Sequence, residues 1–292
     1  MNKKQIRANF LLFLTALIWG FAFSAQRFGA QYLKPFWFNG IRFALGSISL
    51  VPLIVYRKKQ KNTVQNSTKY LFVAGILCGI CMFAGASLQQ IGIVTTTAGK
   101  AGFVTGLYVV LVPVIGLLMG RKTGRMTWLA VIIAVLGLYL LTVTENFTIG
   151  KGDLIVLAGS LFWAFHILII DHFSQKTDPL ELSSLQFAVC SFLSLVIALF
   201  MEQISAGAVK NAMIPILYGG LCSVGIAYTL QVVAQKDAEP SQASLILCLE
   251  TVFSVLGGML LLKEEMTLRN VCGCVLMFVA IVIAQLPLRK TK

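Results

Sequence analysis

Charge is scarce in this chain of 292 residues. Asp, Glu, Lys and Arg make up 12% of it, with 11 acidic positions against 24 basic ones. A water-soluble domain of this size carries about twice that charged fraction, so a soluble globular fold is excluded. Catalytic signatures are missing as well. There is no Gly-x-Ser-x-Gly, no His-Glu-x-x-His, no glycine loop to cradle phosphate and no pair of acids at catalytic spacing. No active site is legible, and no nucleotide-binding segment is present. Metal-binding sets are incomplete: Cys78 and Cys81 form a C-x2-C and Cys272 and Cys274 a C-x-C, but neither has a nearby pair of His or Cys to complete four ligands. The seven cysteines lie almost wholly inside apolar runs, as small packing residues without a disulfide framework. No cofactor is expected.

What is abundant is apolar sequence. Hydrophobic residues make up 58% and the mean hydropathy is +0.85, so the bilayer is the solvent for most of the chain. The net charge of +13 does not mark a nucleic-acid partner, because the basic residues sit in short breaks between apolar runs, where they set topology and meet lipid headgroups. Apolar runs between these breaks predict ten spanning helices, at 8–30, 36–56, 70–91, 97–120, 126–144, 153–173, 180–201, 212–234, 241–262 and 268–287. The first run follows Lys3, Lys4 and Arg7 but is too long for a signal-peptide core, and its counterpart lies mid-chain, so it reads as a span. With the N-terminus inside, the cytoplasmic breaks hold 16 Lys and Arg and the outer breaks 7, which puts both termini in the cytoplasm.

The sequence also repeats itself. Leu17/Leu161, Trp19/Trp163, Phe21/Phe165, Pro35/Pro179, Phe43/Phe187, Ala44/Ala188 and Ser47/Ser191 recur 144 positions apart. Leu88/Leu230, Gln89/Gln231, Ala101/Ala243, Leu107/Leu249 and Leu118/Leu260 continue the echo at 142. One nearly constant offset from end to end predicts an internal duplication, with units at 1–144 and 153–292. Five helices per unit is an odd number, so the second copy enters the membrane upside down. The expected fold class is an all-α integral membrane protein of ten transmembrane helices in a 5+5 inverted repeat, the design of an alternating-access carrier for a small-molecule solute.

Polar residues at mid-membrane depth are the candidate pathway. Glu250 comes first: an ionisable group at the bilayer centre costs about 2.5–3.5 kcal/mol on insertion scales, so it should face the interior with a partner. Ser254 and Gly257 share its face, and its repeat mate is Tyr108. Arg42, with Asn39, Gly46 and Ser49 on its face, could grip a carboxylate bidentately or snorkel to the interface. Its repeat mate is the neutral Gln186. Trp19 and Trp163 fall at matching depths as cavity walls or core, with His166 one turn beyond Trp163. Gln89 on the third helix and Tyr228, Gln231 and Gln235 on the eighth complete the polar set, as solute contacts or as interhelical bonds. Gly75/Gly79, Gly102/Gly106 and Gly116/Gly120 are spaced for close helix approach.

These features carry a resemblance. Ala16-Leu17-Ile18-Trp19-Gly20, Pro35 followed by Arg42-Phe43, Ala98-Gly99-Lys100-Ala101-Gly102-Phe103 running to Val112-Pro113, and Leu249-Glu250-Thr251-Val252-Phe253 followed by Lys263-Glu264 resemble the EamA-type carriers of the drug/metabolite transporter superfamily over residues 7–287. The chain departs from the pattern at Thr251, where the family usually has proline and hence a kink, and at Ala164, where a glycine usually follows tryptophan. The resemblance implies an exporter of amino acids or similar metabolites in a bacterial-type inner membrane, with a site between the repeats near Trp19, Tyr108, Trp163 and Glu250. The alternative within transport is efflux of cationic or aromatic toxic compounds, with Glu250 as counter-charge. A lipid-modifying enzyme would need a catalytic cluster at the interface, and only scattered singles are present. A non-transporting scaffold would show no solute flux. If protons are the coupling ion, Glu250 and His166 are the groups available to carry them.

Overall fold

The computed structural model describes residues 3–60, 68–96, 98–142, 150–262 and 267–284. The polar turn at 145–149, Lys263, Glu264 and the basic residues Arg289, Lys290 and Lys292 lie outside them. Among the described residues every regular element is helical. Where lipid replaces water, a helix is the solution that satisfies each backbone group within its own segment.

In chain order the elements are α1 (Lys3–Gly29), α2 (Pro35–Lys59), α3 (Thr68–Gly92), α4 (Ala98–Gly106), α5 (Tyr108–Leu118), α6 (Arg125–Thr142), α7 (Lys151–Ser174), α8 (Pro179–Met201), α9 (Ala206–Asn211), α10 (Met213–Leu217), a π-helical segment (Tyr218–Tyr228), α11 (Thr229–Ala234), α12 (Pro240–Leu247), α13 (Glu250–Leu262) and α14 (Leu268–Ala284). Proline opens α2, α8 and α12, where its missing N–H and fixed φ cost nothing. Asp178 caps α8, accepting from the N–H groups of Leu180 and Glu181. Eight helical stretches are long and apolar enough to cross a membrane. Two further apolar helices, Arg125–Leu140 and Leu268–Ala284, are shorter.

Three stretches expected as single helices are interrupted. The 97–120 run breaks at Leu107, where Leu107 N donates to Val104 O and Val110 N to Leu107 O. The 241–262 run breaks at Cys248 and Leu249 with the same short-range bonding, Leu249 N to Ile246 O and Thr251 N to Cys248 O. Such tightening marks a helix under local strain. The second break stands immediately before Glu250 although position 251 is threonine, so proline is not what makes it. Glu250 therefore begins a helix and does not sit inside one. The 212–234 run carries the π segment, whose Gly219, Gly220 and Gly225 are poor helix formers lying against α2.

Packing joins distant parts of the chain: α1 lies on α13, α2 on α8, α3 on α7 and α8, and α6 on α14. Two hydrogen bonds describe the α2–α8 contact. Ser47 Oγ donates to Ser184 O at 2.9 Å, and Ser191 Oγ donates to Gly40 O at 2.8 Å. Moving from 40 to 47 on α2 thus means moving from 191 to 184 on α8, so the two helices run antiparallel. Between the two bonds the Phe43 and Phe187 rings meet at 6.4 Å.

The glycine pairs divide. Gly75 and Gly79 face Leu185 and Val189 of α8, and Gly102 and Gly106 face Ser254 and Thr251 of α13. Gly120 is no packing residue: its φ of +79° suits glycine and ends the helix with Arg121 N donating to Gly116 O, in the manner of a left-handed C-cap. The outer surface is lined with bare apolar side chains, Phe200, Leu118 and Ile214 among them, as a lipid-facing surface permits.

Candidate functional site

Gly20 lets α1 sit directly against the start of α13. A Cβ there would come within 2.2 Å of Phe253 Cβ and 2.8 Å of the Glu250 carbonyl oxygen. The Trp19 face of α1 is thereby pressed toward the Glu250 turn, and α3, α5, α7 and α11 close the ring. All nine residues singled out from the sequence, Trp19, Arg42, Gln89, Tyr108, Trp163, His166, Tyr228, Gln231 and Glu250, line the single cavity so formed. Its volume is about 30 Å³, room for no more than a few water molecules.

The cavity holds one basic and one acidic side chain. Arg42 is buried, not snorkelled to an interface, and is 2% exposed. Its Nε donates to Asn39 Oδ1 at 3.0 Å, and its guanidinium carbon stands 4.8 Å from the Phe43 ring centre and 5.5 Å from that of Phe38. Cation–π contact steadies the charge without neutralising it. Among the described residues no carboxylate pairs with Arg42, and its terminal nitrogens have no hydrogen-bond partner. Glu250 is 4% exposed, and its Oε1 accepts from Tyr108 Oη at 3.0 Å. No basic group among the described residues pairs with it. A buried charge left alone is expensive, so both are poised to meet charge on something else.

Aromatic rings form the walls, with Tyr228 at the hub. Its ring lies 4.4 Å from Trp19, is stacked on Trp163 at 5.8 Å, and meets His166 edge-on at 6.1 Å. His166 Nε2 is 2.9 Å from Gln186 Oε1, so its outward nitrogen is already engaged. A hydrogen-bond chain fixes one wall: Trp163 Nε1 donates to Gln89 Oε1 and Gln89 Nε2 to Gln26 Oε1, each at 3.1 Å. On the opposite wall Trp19 Nε1 donates to the Ser223 carbonyl at 3.2 Å. The amide oxygen of Gln231 there is buried without a partner.

The cavity also takes in residues that sequence reasoning missed: Ala22, Phe23, Gln26, Thr105, Ile167 and Ser223. Helical spacing held the signal for several. Ala22, Phe23 and Gln26 follow Trp19 at i+3, i+4 and i+7, and Thr105 precedes Tyr108 by three. Ser223 contributes through a backbone carbonyl, which no side-chain pattern advertises. Ser254 and Gly257, expected on the Glu250 face, turn instead to α4 and α1.

One turn further along α5, α7 and α11 lies a larger chamber of about 400 Å³. The step runs from Tyr108 to Val112, from Ile167 to Asp171 and from Gln231 to Gln235. Arg121 donates to Asp171 Oδ2 at 2.5 Å across this chamber, and Lys122, Lys236, Asp237 and Glu239 also line it. Burial lowers the Lys236 amine below its ordinary value, against the pull of Asp178 and Asp237. Among the described residues no group of three or more His, Cys, Asp and Glu could hold a metal.

Comparison with known proteins agrees with this helical membrane architecture. An uncharacterized transporter of Archaeoglobus fulgidus is 30% identical over 287 residues, covering 97% of this chain and 87% of the relative. The uncharacterized transporter YoaV of Bacillus subtilis is 21% identical over 266 residues, covering 89% and 90%. A solved crystal structure superposes with a TM-score of 0.78 over 95% of this chain and 96% of its own, at 15% identity, and so shares the fold. Residues 6–143, and again residues 150–285, match the EamA-like transporter family. With both stretches matched and a multi-pass membrane architecture around the cavity, the chain belongs to the EamA-like transporter family.

Proposed function

We propose that this protein is a secondary carrier that exports amino acids or similar small zwitterionic metabolites across a bacterial-type inner membrane. The observation that carries the reading is the placement of an unpaired guanidinium, Arg42, and a carboxylate without a basic partner, Glu250, in one buried cavity. An α-amino acid brings the two complementary charges in a single small molecule. Arg42 would hold the carboxylate through its free terminal nitrogens, and Glu250, steadied by Tyr108, would hold the ammonium.

Ten spans in a 5+5 inverted repeat, with units at 1–144 and 153–292 and both termini cytoplasmic, supply the mechanism. The reciprocal bonds Ser47–Ser184 and Ser191–Gly40 support it, because Ser191 is the mate of Ser47 and Ser184 the mate of Gly40 at the same offset of 144. A residue that meets its partner's equivalent, and the converse, is the mark of a two-fold axis. Between antiparallel helices such an axis lies in the membrane plane. The matched breaks at Leu107 and Leu249 give each half a hinge beside the cavity. A cavity of about 30 Å³ cannot hold an amino acid, so the halves must part to admit one, first on one side and then on the other. Protons, if coupled, would use Glu250, since His166 is held by Gln186.

A second reading, efflux of cationic or aromatic toxic compounds, draws on the Trp19–Tyr228–Trp163 ring cluster. Counterflow in proteoliposomes loaded with a mixed amino-acid pool decides between the two. Saturable exchange of particular amino acids, lost in Glu250→Gln and in Arg42→Ala, supports the zwitterion. Transport of organic cations that survives Arg42→Ala but not Glu250→Gln supports the alternative. Absence of both activities in folded protein removes the carrier reading.

A further inference from the structure

In the conformation described, the central cavity is too small for a metabolite and the chamber beside it is not. The chamber's volume of about 400 Å³ falls within the range of small-molecule sites. Its charges are balanced: Arg121, Lys122 and Lys236 face Asp171, Asp237 and Glu239. The Arg121–Asp171 ion pair uses one guanidinium nitrogen and one carboxylate oxygen, which leaves hydrogen-bonding capacity on both. Lys236 Nζ donates to Thr177 O and keeps two further donors. At the inner end stands Gln235, 1% exposed, with its Nε2 donating to Ile167 O and its Oε1 buried without a partner. An unpaired buried acceptor is destabilising, and a bound N–H donor would relieve it.

We propose that this chamber is a second binding station for a zwitterionic solute, one helical turn from the central cavity on the same path, occupied while the centre is closed. Arg121 and Lys236 would take the carboxylate, and Asp237, Glu239 and the Gln235 amide oxygen the ammonium. Val112 and Leu168, with Gln235, separate the two stations. A chamber of one sign would retain an anion or a cation, whereas a balanced one favours a molecule carrying both. The inference rests on the zwitterion reading of the central cavity and extends it to a site that does not contain Arg42 or Glu250.

Equilibrium dialysis tests it, with the full chain in lipid nanodiscs and each of the twenty common amino acids as a labelled probe. Three variants accompany the wild type: Glu250→Gln, Gln235→Leu and the double variant, each checked for a single elution peak and an unchanged melting temperature. An amino acid bound by the wild type should still bind Glu250→Gln, and adding Gln235→Leu should weaken that residual binding by roughly 10-fold or more, as loss of a hydrogen bond to a charged group does. Glycine should compete, and acetate and ethylamine should not. Should Gln235→Leu fail to fold, Asp237→Asn takes its place in the same comparison. Residual binding indifferent to the chamber substitution tested overturns the proposal, as does a wild type that binds while Glu250→Gln binds nothing. The latter result leaves the central reading standing; a wild type that binds no amino acid removes both.

Discussion

Gln89 and Gln231 hold corresponding places in the two halves of the chain, and only Gln89 is satisfied. Gln89 accepts from Trp163 and donates to Gln26. The matching bond in the other half would run from Trp19 to Gln231, but the Trp19 indole donates to the Ser223 carbonyl instead. Gln231 is left with a buried, unpartnered oxygen. The backbone explains the difference. The stretch 76–86 of α3 is regular α-helix, whereas its counterpart Tyr218–Tyr228 is π-helical. A wider turn alters which backbone carbonyls and side chains face the cavity, and so gives Trp19 a carbonyl in place of an amide. One wall of the cavity is therefore locked by a hydrogen-bond chain, and the other keeps spare polar capacity next to a wound element. Two stretches matched by one family thus yield a cavity with distinct sides, as the proposed zwitterionic solute would need.

The largest effects should come from the residues in which the halves differ in charge. Tyr108 and Glu250 are repeat mates bonded to one another, yet one is neutral and the other acidic. Glu250→Gln should cut amino-acid counterflow at least ~30-fold, since truncating one partner of a buried charge contact costs about 2–5 kcal/mol. Tyr108→Phe keeps the carboxylate and loses one hydrogen bond, so a fall of roughly 10-fold is expected. If Tyr108→Phe is the more damaging of the two, the acid is not the working end of the pair. Arg42→Gln sharpens the same comparison by giving the first half what the second already has at position 186. Exchange should weaken by about 10- to 100-fold, mainly as a raised KM, because the carboxylate loses a charge-assisted partner. An unchanged KM would separate Arg42 from the solute.

Much of this site was legible in the sequence because lipid makes polarity conspicuous. A polar side chain at mid-depth in an apolar run tends to face inward, so Gln89, His166, Gln231 and Glu250 could be placed in one interior from their depth, while Arg42, nearer a helix end, could as well have reached the interface. Three things were not legible. The π segment replaces α-helical bonding within an unbroken apolar run, and hydropathy does not register it. The break before Glu250 arises from i→i−3 bonding at Cys248 and Leu249, without the proline that would announce it. The charged chamber is assembled from the ends of α5, α7 and α11, where basic residues had been assigned to topology because a one-dimensional charge count cannot tell a headgroup contact from a chamber wall.

The two tryptophans provide a smaller test. Trp163→Phe removes a donor from the side chain of Gln89 and loosens the Trp163–Gln89–Gln26 chain. Trp19→Phe leaves only a backbone carbonyl without its donor. Both variants keep an aromatic ring against Tyr228. Trp163→Phe should lower the melting temperature further, by the equivalent of about 1 kcal/mol, the net worth of an ordinary hydrogen bond. Equal shifts in the two variants would mean that the Gln89 chain does not lock its wall.

The mildest substitution discriminates most finely. Gln231→Met keeps the volume and removes an amide whose oxygen makes no bond, so folding loses nothing there and is relieved of an unsatisfied acceptor. The melting temperature should stay level or rise. Gln89→Met, at the mate position, should lower it, because two bonds between buried side chains disappear. Transport should show the opposite order of interest: a fall of a few-fold in counterflow for Gln231→Met, at unchanged or increased stability, would mean that the free oxygen serves the solute, as spare polar groups at functional sites tend to do. A variant that is both as stable and as active as the wild type would leave the asymmetry of the two walls as a by-product of the π-helical turn, and the locked wall, with Arg42 and Glu250, would then account for recognition unaided.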